Sequence, residues 1–222
     1  MAKIENNLEV IQNQIKQAKL RANASQQVNI IAVTKEVDVA RTQEAIEAGL
    51  THLGENRPEG LENKRQALDA TVSWHYIGSL QTRKVKQVIH QIDYLHSLDR
   101  LSLAEEIEKR AIKTVKCFVQ VNVSGEESKH GLTKEQTLAF VKQLEQFSKI
   151  EVVGLMTMAP FTEDETKIRE VFKQLKQLQQ QVSELSISNV PCTELSMGMS
   201  NDYELAVEEG ATFVRIGTAL VG

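Results

Sequence analysis

The chain has 222 residues, a formal net charge of −4, 41% hydrophobic residues and 25% charged residues. This length favours one domain over residues 1–222. The negative charge argues against a nucleic-acid-binding protein, and no apolar run approaches the roughly 20 residues of a membrane span. The N-terminus lacks the apolar segment of a signal peptide, so we expect a cytoplasmic protein.

The predicted elements alternate between helices and short apolar strands after a first helix over residues 2–23. That helix carries an apolar stripe at Ile4, Leu8, Ile11, Ile15 and Leu20. Strands are predicted at 29–35, 51–55, 73–78, 93–97, 115–123, 151–156, 193–197 and 213–217. Helices are predicted between them at 38–48, 59–68, 82–91, 100–112, 133–147, 163–185 and 201–209. This alternation predicts parallel strands joined by right-handed crossovers.

Eight such strands predict a closed (β/α)8 barrel with an extra N-terminal helix, rather than an open doubly wound sheet. Gly49 and Gly210 follow predicted helices and directly precede strands, as helix C-cap glycines do. Active sites in these barrels lie at the carboxyl ends of the strands. The residues that end each predicted strand are therefore the candidates for function. The histidines show no metal-ligand spacing, so we predict no metal site.

Small polar residues and glycines follow the seventh and eighth predicted strands, where barrels of this kind often bind phosphate. We interpret Ser200 as the N-cap of helix 201–209. Its hydroxyl, the Thr218 hydroxyl and the backbone at Gly217 would then hold a phosphate. The alternative is that Ser200 only caps a helix and Gly217 only eases a tight turn.

Lys35 ends the first predicted strand, where its amine could condense with an aldehyde. The alternative is a lysine paired with Glu36, Asp38 or Glu55. An aldehyde that also carries a phosphate, held by the loops after strands seven and eight, would be a cofactor with a ring such as a pyridine. Arg215, near the end of the eighth strand, would face that ring. A guanidinium there discourages protonation of a pyridine nitrogen and weakens the ring as an electron sink. Together with the phosphate loops, these residues predict an aldehyde cofactor that carries a phosphate.

Five separated motifs also resemble those of a known family. They are Ala32-Val33-Thr34-Lys35, Gly54-Glu55-Asn56, the segment 74–81 (WHYIGSLQ), the segment 196–202 (SMGMSND) and Arg215-Ile216-Gly217-Thr218. They occur in the order found in the pyridoxal phosphate homeostasis proteins (the YggS/PROSC family), which the chain resembles throughout. The barrel of that family is similar to the N-terminal domain of alanine racemase. The sequence departs from the usual family pattern at Arg57-Pro58 and at Arg83.

The resemblance implies the roles of individual residues. Lys35 would form the internal aldimine with pyridoxal 5'-phosphate (PLP), while Ser200, Gly217 and Thr218 would hold the phosphate. Arg215 would contact the pyridine nitrogen. The remaining neighbours of the ring would be Asn56, His75, Met156 and Ser196.

The resemblance implies a monomeric protein of intracellular vitamin B6 homeostasis that holds PLP without turnover and hands it to apo-enzymes. One alternative is a PLP-dependent, racemase-like enzyme. Racemisation needs a proton donor or acceptor on each face of the substrate carbon. In alanine racemase the second group is a tyrosine from a further domain, for which this chain has no room. The other alternative is a phosphate-binding barrel enzyme in which Lys35 binds a carbonyl substrate directly.

Overall fold

A computed structural model describes residues 2–126 and 130–222 of the chain. Eight parallel strands form a closed barrel in sequence order. The strands are β1 (Asn29–Val33), β2 (His52–Glu55), β3 (Ser73–Tyr76), β4 (Tyr94–Leu98), β5 (Val115–Gln120), β6 (Ile150–Met156), β7 (Glu194–Met199) and β8 (Phe213–Ile216). The predicted (β/α)8 barrel is confirmed.

Helices cover the outside of this barrel. They are α1 (Ala2–Arg21), α2 (Val39–Glu47), α3 (Pro58–Ala67), α4 (Val85–Val88), α5 (Leu101–Arg110), α6 (Lys134–Gln143), α7 (Glu165–Glu184), α8 (Tyr203–Glu208) and α9 (Thr218–Val221). The extra N-terminal helix is thus confirmed as α1. Across the described residues, no helix is long and apolar enough to cross a membrane.

Several α-helices are shorter than predicted. The first turn of 82–91 is a 3-10 helix at Thr82–Lys84, and the end of 133–147 is a second one at Leu144–Gln146. Helix 201–209 begins two residues late, at Tyr203. Helix α9 was not predicted, because four residues are too few to show a helical period. Gly49 and Gly210 have φ values of +94° and +103°, which confirms their place at helix ends.

Helix α1 packs against α8 and α9 through one apolar face. Ile4, Leu8, Ile11 and Ile15 are buried as predicted, but the next buried residue is Ala18. Leu20 is 66% exposed, so the predicted stripe was wrong at its last position. The reason is helical geometry, since five residues after Ile15 rotate the side chain about 140° away from the face.

The barrel closes by pairing β1 with β8, in register from Asn29 with Phe213 to Ala32 with Ile216. This closure brings the segment after β1 beside the segment after β8. Lys35 and the residues from Gly217 onward therefore lie at the same end of the barrel although they are far apart in sequence. The tertiary fold thus produces the convergence that the functional prediction needs.

Candidate functional site

A cavity of about 1560 Å³ opens at the carboxyl-terminal end of the barrel. Its wall combines residues that follow β1, β2, β3, β6, β7 and β8 with residues of α1. Six of the nine predicted site residues line it: Lys35, Asn56, Ser200, Arg215, Gly217 and Thr218. The predicted convergence of the lysine, the arginine and the two polar loops is therefore present in the fold.

Lys35 lies in a turn just beyond Val33, the last residue of β1. Its side chain is 40% exposed, and its Nζ lies 4.0 Å from Glu36 Oε1, itself strongly exposed. An exposed pair at this separation holds the amine only weakly. The pairing alternative is thus present in a loose form with Glu36, and it leaves the amine accessible from the cavity.

A buried ion pair lies directly behind Lys35. Lys64 Nζ donates to Glu55 Oε1 at 2.6 Å and to the Thr34 backbone carbonyl at 2.5 Å. The Thr34 hydroxyl also donates to Glu55 Oε1, at 2.5 Å. Because all three side chains are buried, these hydrogen bonds fix the backbone of the residue that precedes Lys35. Glu55 is therefore a partner of Lys64 rather than of Lys35.

Arg215 enters the cavity wall from β8 and is only 6% exposed. Its Nη1 donates to Ser196 Oγ at 2.6 Å, and its Nη2 donates to the Thr157 carbonyl at 3.0 Å. Burial lowers the pKa of Arg215 to about 10, against a smaller opposite effect of Asp202. The guanidinium stays charged at neutral pH, and no carboxylate among the described residues accepts a hydrogen bond from it.

The segment after β7 has a different structure from the one predicted. Ser200 does not cap α8; its Oγ instead accepts a hydrogen bond from the Gly217 N–H at 3.3 Å. Asp202 precedes the helix, but its Oδ1 accepts from the Met199 N–H. The N-cap interpretation of Ser200 was therefore wrong, because a turn over residues 200–202 delays the helix. The structure instead joins the loops after β7 and β8 through Ser200 and Gly217.

The other three predicted site residues are buried and do not line the cavity. His75 and Ser196 are fully buried, and Met156 is 3% exposed. His75 Nε2 and Nδ1 lie 2.9 Å from the rings of His52 and His96 respectively. Ser196 accepts a hydrogen bond from Arg215, which does line the cavity. These residues form the layer beneath the cavity wall.

Sequence reasoning missed several residues that shape this site. Thr157 holds Arg215 through its backbone, which no side-chain pattern reveals. Tyr203 lines the cavity and donates its hydroxyl hydrogen to Gln14 of α1. His52 and His96 flank His75, and a signal for them existed: three consecutive strands each carry one histidine. In the part of the chain described here, no three His, Cys, Asp or Glu side chains form a metal-binding group.

Comparison with known proteins agrees with this site. The family model described as alanine racemase, N-terminal domain, matches residues 3–222. A pyridoxal phosphate homeostasis protein of Aquifex aeolicus is 40% identical over 87% of this chain and 86% of its own length. One of Pseudomonas aeruginosa is 34% identical over 100% of this chain and 96% of its own.

A solved structure of PipY from Synechococcus elongatus PCC7942, with PLP bound, has a TM-score of 0.85 to this chain. The two are 32% identical, and the match covers 99% of this chain and 100% of PipY. Identity at this level over whole chains shows common family membership as well as a common fold. This chain therefore belongs to the alanine racemase N-terminal domain family, and within it to the pyridoxal phosphate homeostasis proteins.

Proposed function

We propose that this chain binds PLP in the cavity at the carboxyl end of the barrel and serves intracellular PLP homeostasis without substrate turnover. In this proposal the Lys35 amine condenses with the aldehyde of PLP, forming a C=N bond and releasing water. The observation that carries the proposal is that Lys35, Arg215 and the Ser200–Gly217 contact share one cavity. The PLP bound in the related PipY structure supports the choice of cofactor.

The donors in the cavity match the parts of PLP. The hydroxyls of Ser200 and Thr218 and the N–H of Gly217 suit a phosphate. The bond from the Gly217 N–H to Ser200 Oγ is long at 3.3 Å, so the N–H can donate to a phosphate oxygen instead. The Ser200 hydroxyl can donate its own hydrogen to the same group. A Cβ at Gly217 would approach no atom closer than 3.5 Å, which leaves space for a ligand beside the backbone. These features support the predicted phosphate site.

Arg215 suits the ring nitrogen of PLP. A buried cation without a carboxylate partner disfavours a second positive charge beside it. The pyridine nitrogen would therefore stay unprotonated, and the ring would withdraw electrons weakly. This favours binding over the reactions that need a strong electron sink, although it is also compatible with racemisation.

The racemase-like alternative needs a second acid–base group opposite Lys35. Tyr203 is the tyrosine that lines the cavity, but its hydroxyl is already bonded to Gln14. Burial raises the pKa of Tyr203 to about 12, which makes it a poor base at neutral pH. Tyr76 is buried and does not line the cavity. Tyr94 stacks on His75 and is also absent from the cavity wall. These contacts support the proposal of a protein without turnover.

The finer expectations remain predictions of the same proposal. They are a single domain over residues 1–222, a monomer, a cytoplasmic location and transfer of PLP to apo-enzymes. Light scattering on the purified protein measures its molecular mass and so tests the monomer prediction. Mixing the PLP-loaded protein with an apo PLP enzyme, and following the activity regained, tests transfer.

The central experiment compares wild-type protein with Lys35→Ala after PLP is added. We expect a visible absorbance band in the wild type that Lys35→Ala lacks. Borohydride reduction should leave one PLP adduct, mapped to the peptide that contains Lys35. Lys173→Ala, which changes an exposed lysine of α7, is the matched control and should behave as wild type. An absent band, or an adduct on another lysine, would refute the covalent proposal.

A further inference from the structure

Four side chains form a continuous hydrogen-bonded relay from the opposite end of the barrel to Arg215. His52 Nδ1 lies 2.9 Å from His75 Nε2, and His75 Nδ1 lies 2.9 Å from His96 Nε2. His96 Nδ1 lies 2.9 Å from Ser196 Oγ, which accepts from Arg215 Nη1 at 2.6 Å. We call His52, His75, His96 and Ser196 together the histidine relay. They come from β2, β3, β4 and β7, so the relay crosses the interior of the barrel.

The two inner histidines are enclosed by aromatic rings. Tyr94 stacks on His75 with ring centroids 4.3 Å apart, and Phe118 stacks on His96 at 4.4 Å. Phe213 contacts the ring of His75 and that of Phe118. Both histidines are fully buried. Because an unpaired polar atom is costly in such a place, each ring nitrogen needs its partner within the relay.

Arg215 fixes the direction of the hydrogen bonds. A guanidinium only donates, so Ser196 Oγ is its acceptor, and the Ser196 hydroxyl hydrogen has His96 Nδ1 as its acceptor. His96 then carries its hydrogen on Nε2 and donates to His75 Nδ1. By the same reasoning His75 donates from Nε2 to His52 Nδ1, and His52 also carries its hydrogen on Nε2. The reverse direction would leave the buried hydroxyl hydrogen of Ser196 without an acceptor among the described residues.

The charges around the relay favour this neutral arrangement. Burial, together with the charges of the other histidines and Arg215, holds the pKa of both inner histidines well below the usual value. His52 faces Asp93, which raises its pKa, and Lys116, which lowers it. Burial is the largest effect on His52 and leaves its pKa lowered as well. All three imidazoles are therefore neutral at pH 7, and among the described residues Arg215 is the cation that donates a hydrogen bond to the relay.

The outer end of the relay reaches a second, smaller cavity. His52 lines a cleft of about 240 Å³ at the amino-terminal end of the barrel, together with Asn29, Thr51 and residues of α1. His52 is half-buried, so its Nε2–H is the point where the relay approaches solvent. The relay thus joins the two ends of the barrel through an otherwise apolar interior.

We propose that the histidine relay is a positioning device that holds Arg215 toward the cofactor cavity, with every histidine in the Nε2–H form. Ser196 and the Thr157 carbonyl occupy two of the five guanidinium N–H groups, which fixes the plane of the group. The acceptors are neutral, so the charge of Arg215 stays available to a ligand. The role toward PLP rests on the proposed function, whereas the tautomers do not.

Nitrogen-15 NMR of the protein without PLP tests the relay itself. We expect long-range couplings that show a neutral Nε2–H imidazole for His52, His75 and His96 at pH 7. His90, an exposed histidine outside the relay, is the matched control, and His90→Ala removes its signals without changing the others. An Nδ1–H form of His75 or His96 would overturn the proposal.

The PLP titration tests the positioning role. Ser196→Ala removes the link between His96 and Arg215, and we expect about tenfold weaker PLP binding with a shifted absorbance band. Ser196→Thr retains a hydroxyl and should restore both. Equal binding and spectrum in Ser196→Ala would refute the positioning role if the wild type binds PLP. Failure of the wild type to bind PLP would refute the proposed function, while the NMR result would still decide the tautomers.

Discussion

The buried ion pair behind Lys35 gives the sharpest prediction about stability. Lys64→Met replaces the ammonium with an apolar group of similar size. Glu55 then keeps one hydrogen bond, from the Thr34 hydroxyl, and loses its 2.6 Å partner. The Thr34 carbonyl loses its 2.5 Å donor as well. The variant therefore leaves a buried carboxylate without a cation and a backbone acceptor without its donor.

The magnitude follows from the burial of both partners. The Lys64 and Glu55 side chains are 5% and 2% exposed, so water cannot readily replace the hydrogen bonds that Lys64→Met removes. Removing one partner of such a pair costs about 3–5 kcal/mol in the free energy of unfolding. In a chain of this size each kcal/mol lowers Tm by about 2–4 °C, which gives a decrease of about 6–20 °C.

Urea and thermal unfolding, followed by circular dichroism, measure this loss. Glu55→Gln/Lys64→Met should be more stable than Lys64→Met alone, because it removes the unpaired charge. Lys86→Met changes an exposed lysine of α4 and is expected to shift stability by less than about 0.5 kcal/mol. A loss below about 1 kcal/mol in Lys64→Met would refute the contribution of this ion pair to stability.

Two further predictions concern pH and packing. The pKa values of His75 and His96 lie well below the usual value because both rings are buried, so below pH ~6.5 the unfolded chain binds more protons. Stability should fall from pH 6.5 to 5.5 by at most about 1.4 kcal/mol per histidine in urea unfolding, and a flat profile would contradict the burial. Gly78→Ala would drive a Cβ into the Asn56 carbonyl oxygen, so we expect the free energy of unfolding to fall by about 1–3 kcal/mol, measured by thermal unfolding. Gly217→Ala, whose Cβ meets only ordinary contacts, is its control, and equal Tm values would refute the clash.

Much of the fold could be predicted because local patterns carry it. Most barrel strands are short segments with buried apolar residues, and the number of such segments that alternate with helical patterns predicts the strand count. The observed strands differ from the predicted ones by three residues or fewer at each end. Helix boundaries were less accurate where a side chain found another partner, as Ser200 did with Gly217. A local capping preference does not determine the outcome when a tertiary contact competes with it.

The candidate site was predictable to the extent that it depends on strand ends. Lys35, Asn56 and Gly217 follow β1, β2 and β8, and barrel closure brings all three to one cavity. His75 was expected on the cavity wall but lies beneath it. Whether a strand residue faces the ligand or the interior depends on its height in the barrel, which the sequence does not state.

The pattern of apolar runs in the sequence determined the barrel, the position of Lys35 at the mouth of the barrel and the polar loops after the last two strands. Only the tertiary structure decided the partners of Glu55, the loss of the Ser200 cap and the path from His52 to Arg215. Apolar periodicity is a local property that each segment carries alone. Hydrogen-bond partners in a buried layer depend on which strands become neighbours and at what register, and closure of the barrel sets both.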